Sequence, residues 1–362
     1  MILKTGKYKK SEEENKINLE YEEKRKSINA EELGIMLETR VKTELSGYID
    51  KLRKIKGIEG EGYFSKLNTT TNREQIEEIA MKFFYSINEE LGMKAESVIK
   101  GENPDVELNL DENSEKFFSN CTEMKIDARI EFSQNLLEEI KINNPDLYEK
   151  IQENNKEKII TQIQISLAGY LGDLYNLVHE ITHYFTVADN MTARILDEVA
   201  PQCMERMLDN FLLELPEEEL KRYNFNIKDL KKDIKTRRII SFASRYLAVE
   251  EFNKECLKKE YMSEKERETL KYFLAQLFQT QFIKNKNKQR KEKILEFMEH
   301  LKEDDFEGAV KSFGMDLRNK IKRSFYIEDI VNDAKVELEG LPQNKGREKR
   351  GISSSDKDDR EF

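Results

Sequence analysis

The chain has 362 residues and a formal net charge of -10, and charged residues make up 37% of it. Both signs of charge are interspersed along the sequence, which argues against the concentrated basic face that nucleic-acid-binding proteins carry. Only five prolines and fifteen glycines occur, and this composition favours long helices. We therefore expect one large or two ordinary helical domains and no nucleic-acid partner.

The cysteines and the apolar runs indicate the environment of the protein. The chain has three cysteines, Cys121, Cys203 and Cys256, which are widely spaced and form no CxxC motif. An odd number at such spacing does not predict a disulfide framework, and a protein in a reducing compartment is the better expectation. The opening stretch "MILKTGKYKKSEEENK" has no apolar core of a secretory signal, and no apolar run is long enough to span a membrane. The sequence predicts a cytoplasmic protein without a membrane partner.

The first part of the chain predicts helices. Residues 1–40 are largely charged and predict an exposed helical segment, while apolar residues recur at helical spacing over 31–56 until the glycines of 57–62. Residues 72–101 predict two helices with a glycine stop, and Asn72 suits an N-cap.

Two later stretches predict a small sheet. "MKIDARIEFS" (124–133) and "IITQIQISLAG" (159–169) alternate apolar and polar residues, which is typical of strands, and a polar helical insertion separates them. From residue 170 to about 340 the pattern is helical throughout. Residues 341–362 have the composition of a disordered tail.

A helix over 170–187 contains "LVHEITHYF" (177–185), with two of the three histidines of the chain, His179 and His183. Their spacing of four places both imidazoles on one edge of the apolar face, where they can bind one cation. Glu180 lies beside them, where it can reach a water molecule rather than the ion. An ordinary amphipathic helix with two histidines in the core would have the same sequence pattern, and this alternative stays open.

A zinc peptidase needs a third protein ligand, and two glutamates compete for this role. After a predicted turn at 187–190, residues 192–215 predict a helix in which Pro201 introduces a kink or a turn. In an antiparallel helix hairpin, Glu198 lies opposite His183 and Glu205 lies nearer His179. We therefore predict Glu198 as the ligand, and Glu205 as a residue that orients the ring of His179.

The sequence around the histidines resembles the M3 family of zinc metallopeptidases, the oligoendopeptidase F and thimet oligopeptidase group. "GYLGDLYNLVHEITH" (169–183) is similar to its zinc helix, and "LDEVAPQCMER" (196–206) is similar to its zinc-glutamate motif. The resemblance implies a mainly α fold with a small β-sheet, a zincin-like M3 catalytic domain, here over 41–340.

The same resemblance implies an activity and a site. One Zn²⁺ per chain would be held by His179, His183 and Glu198, with Glu180 as the general base acting on the attacking water. The implied reaction is hydrolysis of peptide bonds, in short peptides as substrates.

The sequence also departs from the family pattern at several positions, and these differences leave other functions open. Thr182 stands where the family has glycine, and "TLKYFLAQLFQTQFI" (269–283), the nearest stretch to the family's histidine–tyrosine helix, has no histidine and only Tyr272. We predict Tyr272 to be a buried aromatic residue. The alternatives are a catalytically degenerate M3-like protein that binds zinc or a peptide, and a helical protein without a metal. The sequence leaves the oligomeric state open.

Overall fold

The structure, a computed structural model, describes most of the chain between residues 67 and 339. Together with three isolated positions, the described residues are 67–112, 119–126, 158–188, 190–250, 264–285 and 287–339. The helix predicted over 31–56 and the tail (341–362) lie outside them. Apart from the isolated positions 16, 19 and 141, so do the predicted N-terminal segment (1–40) and the polar insertion up to residue 157.

The described part is mainly helical, as predicted, with eleven helices and three strands. In chain order these elements are α1 (Arg73–Ile87), α2 (Glu89–Ile99), β1 (Val106–Asp111), β2 (Ser119–Ile126), β3 (Lys158–Ser166), α3 (Leu171–Thr186), α4 (Met191–Leu196), α5 (Val199–Leu213), α6 (Glu217–Arg222), α7 (Ile227–Glu250), α8 (Glu264–Ile283), α9 (Asn287–Lys302), α10 (Phe306–Ser312) and α11 (Lys320–Glu339).

The two helices predicted over 72–101 are α1 and α2. Asn72 caps α1 in a capping box: its side chain accepts from the backbone of Gln75, whose side chain accepts from the backbone of Asn72. Asn88 then separates the helices and caps α2, where its side chain accepts from the backbone N–H groups of Glu90 and Leu91. Gly101 follows α2 with a φ of 69°, a left-handed conformation that glycine adopts without strain.

The small sheet has three strands in the order β1-β3-β2, with β1 parallel and β2 antiparallel to β3. The strand predicted over 159–169 is β3, although it ends at Ser166. The strand predicted over 124–133 overlaps β2 only at 124–126, because β2 begins at Ser119 and the residues after Ile126 lie outside the described ones. The sequence analysis did not predict β1.

Helix α3 lies at the centre of the fold. Leu174, Leu177, Val178 and Ile181 form its apolar face and are fully buried, and the helix packs against α1, α5, β2 and β3. Its N-terminus is fixed by Asp173, which accepts backbone hydrogen bonds from the three residues that precede the helix. The helix that carries both histidines is therefore held on several sides.

The prediction of a single helix over 192–215 is wrong, because this part of the chain forms two helices, α4 and α5. Asp197 and Glu198 form a turn between them. Pro201 gives the physical reason: it has no N–H to bond to the carbonyl group of residue 197, and its ring would clash with that group in a continuous helix. Proline is tolerated in the first turn of a helix, so α5 begins just before it.

The structure bears on two expectations, that the cysteines form no disulfide framework and that no segment spans a membrane. Cys203 is a buried free cysteine. In the described ranges, no helix is both long and apolar enough to cross a membrane.

Asn72→Ala tests the capping of α1. Loss of the side-chain acceptor leaves helix N–H groups without this partner, and we expect the free energy of unfolding to fall by about 1 kcal/mol. Asn72→Ser is the matched control, since it keeps an oxygen acceptor and should change stability by much less. Denaturant unfolding measures both, and equal losses in the two variants would contradict the capping role.

Candidate metal centre

The two histidines of α3 lie one turn apart with their rings directed to the same point. His179 Nε2 and His183 Nε2 are 3.1 Å apart, and their side chains retain 19% and 13% of their exposure. Both line a cavity of about 550 Å³. The spacing of four residues thus produces the side-by-side imidazoles predicted from the sequence.

Glu198 completes a cluster with these nitrogens from the turn before α5. Its two carboxylate oxygens lie 3.6 Å from His179 Nε2 and 3.7 Å from His183 Nε2. The side chain is buried, and Oε2 has no hydrogen-bond partner. A buried carboxylate oxygen without a partner is costly, so this atom points to a ligand in the cluster.

The other ring nitrogen of each histidine contacts a carboxylate. His179 Nδ1 lies 2.8 Å from Glu205 Oε1, and His183 Nδ1 lies 3.0 Å from Asp197 Oδ1. Because ionised carboxylates only accept hydrogen bonds, each Nδ1 donates its N–H. The Nε2 atoms of both rings are therefore left to face the cluster.

Glu205 lies where the hairpin argument predicted, against the ring of His179, whereas the role of Asp197 was missed. Asp197 immediately precedes Glu198 in the turn that Pro201 imposes. The available signal was the acidic pair ahead of a proline. A continuous helix would direct the two side chains about 100° apart, whereas in this turn Asp197 contacts His183 and Glu198 faces both imidazoles.

The acids around the histidines change their ionisation. Burial acts to lower the pKa of His179, but the hydrogen bond to Glu205 and the charges of Glu198 and Glu205 outweigh it and raise the pKa to about 9. For Asp197, burial acts to raise the pKa, and the hydrogen bond to His183 prevails and lowers it to about 2. Both shifts have the same origin, since the carboxylates beside the two imidazoles stabilise positive charge on the rings.

The cluster fits a zinc-type ion in both geometry and donor chemistry. A tetrahedral ion with bonds of about 2.0–2.2 Å separates its ligand atoms by about 3.3–3.6 Å. Here the two Nε2 atoms are 3.1 Å apart, and they lie 3.6 and 3.7 Å from different oxygens of Glu198, so the separations are close to this range. Two imidazoles and one carboxylate are also a ligand set used by catalytic zinc sites. Among the described residues, His179, His183 and Glu198 could hold such an ion.

Further side chains of the cavity lie next to this cluster. Glu180 is buried and lines the cavity without belonging to the ligand cluster. Tyr272, predicted to be a buried aromatic residue, is half-buried and lines the cavity wall. Its neighbour Lys271 also lines the cavity and donates to Asp197 at 3.3 Å. The sequence analysis did not predict a role for Lys271, because no local sequence pattern distinguishes it from the other lysine of α8.

No family model, curated protein or solved structure matches this chain. The resemblance to M3 peptidases therefore rests on the two motifs that carry the cluster, and it stays a prediction. The geometry of the candidate metal centre is independent of that resemblance.

Zinc analysis of the purified full-length chain tests the centre. We expect about one zinc per chain in the wild type, and its loss in the His179→Ala/His183→Ala double variant, because two of three ligands are removed. His300→Ala is the matched control, since the third histidine lies on α9 and should be dispensable for zinc. Equal zinc content in the wild type and the double variant would contradict the assignment.

Proposed function

We propose that the protein is a zinc-dependent metallopeptidase, a hydrolase that cleaves peptide bonds of short peptides with an M3-like, zincin-like catalytic site. The observation that carries the proposal is the convergence of His179, His183 and Glu198 in one cavity, with Glu180 beside them. These four residues are the ones that the HExxH motif and the predicted third ligand require.

In the proposed reaction, His179, His183 and Glu198 would hold the zinc ion, and Glu180 would transfer the proton. Zinc, when bound, supplies a Lewis acid that polarises a carbonyl group and lowers the pKa of water toward about 7. Glu180 accepts a proton from the attacking water at its carboxylate oxygen and then delivers it to the amine nitrogen as the carbon–nitrogen bond breaks. Because Glu180 is buried, its carboxylate is shielded from bulk solvent.

The character of the cavity wall favours an enzyme over a binding protein. Hydrogen-bond donors line it, namely Asn176, Arg194, Lys271 and Tyr272. Donors directed at a developing negative charge stabilise the transition state of acyl transfer, whereas an apolar wall would offer a peptide only contact. The polar wall supports hydrolysis as the first candidate function.

The second candidate is a catalytically degenerate M3-like protein that binds zinc or a peptide without cleaving it. It is favoured by the stretch 269–283, which lacks the histidine of the family's C-terminal helix and leaves Tyr272 as its only tyrosine. Lys271 is already hydrogen-bonded to Asp197, so less of its donor capacity is left for a substrate.

Glu180→Gln tests the hydrolytic role. The amide cannot accept the proton, so we expect cleavage of a defined mixture of synthetic peptides to fall by at least about a hundredfold, within the range that general base catalysis contributes. Zinc content should be unchanged, because Glu180 is not a ligand. Mass spectrometry of the peptides and metal analysis measure the two quantities, and Glu217→Gln, at an exposed position of α6, is the matched control.

The outcomes separate the candidates. Turnover retained in Glu180→Gln would remove this residue from the mechanism. A wild type that holds zinc and binds the same peptides by calorimetry without cleaving them would establish the degenerate binding protein instead. Cleavage that survives complete removal of zinc would contradict the metallopeptidase itself.

A further inference from the structure

We propose that Arg237, on α7, is a positioning residue for the metal centre and acts through Glu205 on the ring of His179. This role rests on the proposed function in one respect, because an effect on zinc affinity requires that the site binds zinc. The hydrogen bonds that carry it join residues of the chain and do not involve an ion.

Both oxygens of the Glu205 carboxylate are engaged, one by each partner. Oε1 accepts from His179 Nδ1 at 2.8 Å, and Oε2 accepts from Arg237 Nη1 at 3.2 Å. All three side chains are largely buried, with exposures of 9% for Glu205, 19% for His179 and 13% for Arg237. The guanidinium therefore fixes the rotation of the carboxylate that orients the imidazole.

Arg237 is itself held by an aromatic ring. Its guanidinium carbon lies 3.7 Å from the centre of the Tyr175 ring, which is fully buried. The planar guanidinium can stack on this ring and donate to Glu205 at the same time, a combination that a lysine ammonium cannot reproduce. The Arg237 side chain is thus restricted from two directions, which makes it suited to positioning.

A second, parallel set of contacts lies one turn away along the same helices. Tyr175 donates to Asp209 Oδ1 at 2.5 Å, and Arg238 Nε donates to Asp209 Oδ2 at 2.6 Å. Tyr175 precedes His179 by four residues on α3, and Asp209 follows Glu205 by four on α5. Arg238 therefore joins α7 to α5 as Arg237 does, but its carboxylate partner does not contact a predicted metal ligand.

The physical effect of Arg237 should appear in the affinity for the ion. Residues that orient a metal-binding histidine through its second ring nitrogen typically change metal affinity by about ten- to a hundredfold. Without the donor at Oε2, the Glu205 carboxylate gains freedom to rotate away from His179. The His179 ring then has to be ordered when zinc binds, and this ordering weakens the affinity.

The experiment measures zinc affinity of the full-length chain by competition with a chromophoric chelator. Arg237→Met keeps the length of the side chain and removes the donors, and we expect it to weaken zinc binding by about ten- to a hundredfold. Arg238→Met is the matched control, because it removes an equivalent contact between α7 and α5. It should keep affinity within about threefold of the wild type even if it lowers stability, since its carboxylate partner Asp209 does not contact His179, His183 or Glu198.

A double-variant cycle tests whether Arg237 acts through Glu205. Glu205→Gln alone should weaken zinc binding, and adding Arg237→Met should weaken it little further, because the interaction has already been lost. Losses that multiply in the double variant would overturn the proposal. So would wild-type affinity in Arg237→Met, or an equal loss in Arg238→Met.

A second measurement needs no metal and separates this proposal from the proposed function. The chain has three histidines, so histidine-labelled protein gives three rings in an NMR spectrum, and His179 is assigned by its absence in His179→Ala. We expect a hydrogen-bonded Nδ1–H proton of His179 in zinc-free wild type and in Arg238→Met, and its loss to exchange with water in Arg237→Met. If the wild type binds no zinc, the proposed function fails, and persistence of this proton in Arg237→Met would still overturn the positioning role.

Discussion

Two imidazole nitrogens that face each other at 3.1 Å are the constraint on which the rest of the site depends. Because Nδ1 of each ring donates to a carboxylate, the lone pairs of both Nε2 atoms and an unpartnered oxygen of Glu198 are directed at the same small volume. Lone pairs so arranged repel one another unless positive charge lies between them. Burial acts against a charged His179, but the hydrogen bond to Glu205 and the nearby carboxylates outweigh it and raise the pKa to about 9. A metal ion at the predicted site would supply positive charge to all three donors.

The fold supplies this arrangement from four helices, α3, α5, α7 and α8, and one turn. Helix α3 fixes the histidines through a fully buried apolar face. The turn ahead of Pro201 brings two consecutive acids to the same cluster, so that Asp197 orients one imidazole while Glu198 faces both. Helix α5 brings Glu205 to the other imidazole, and α7 holds Glu205 in turn. Each histidine is thereby oriented by a carboxylate that contacts a cation, Arg237 for one and Lys271 for the other.

The sequence predicted those features that depend on local periodicity or on capping chemistry. The histidine helix, β3 and the Asn72 cap follow from spacing within a few residues, and the approach of Glu205 to His179 follows from simple hairpin geometry. The break before α5 was missed, because Pro201 was expected to add a kink or a turn within one helix rather than to prevent the helix from continuing. Lys271 and Arg237 could not be predicted, since their partners are far along the chain and depend on how α7 and α8 pack. Strand β1 was missed although "VELNLD" alternates apolar and polar residues, because a pattern of only six residues is a short local signal, and its pairing with β3 is a contact far along the chain.

The most direct test of the central claim is a crystal structure of the zinc-loaded protein with anomalous data at the zinc edge. The account predicts one zinc bound by Nε2 of His179, Nε2 of His183 and a carboxylate oxygen of Glu198, each at about 2.0–2.2 Å. Glu205 should remain on Nδ1 of His179 at hydrogen-bond distance. A zinc bound by Glu205 with Glu198 directed to solvent, or a zinc bound away from both histidines, would contradict the account.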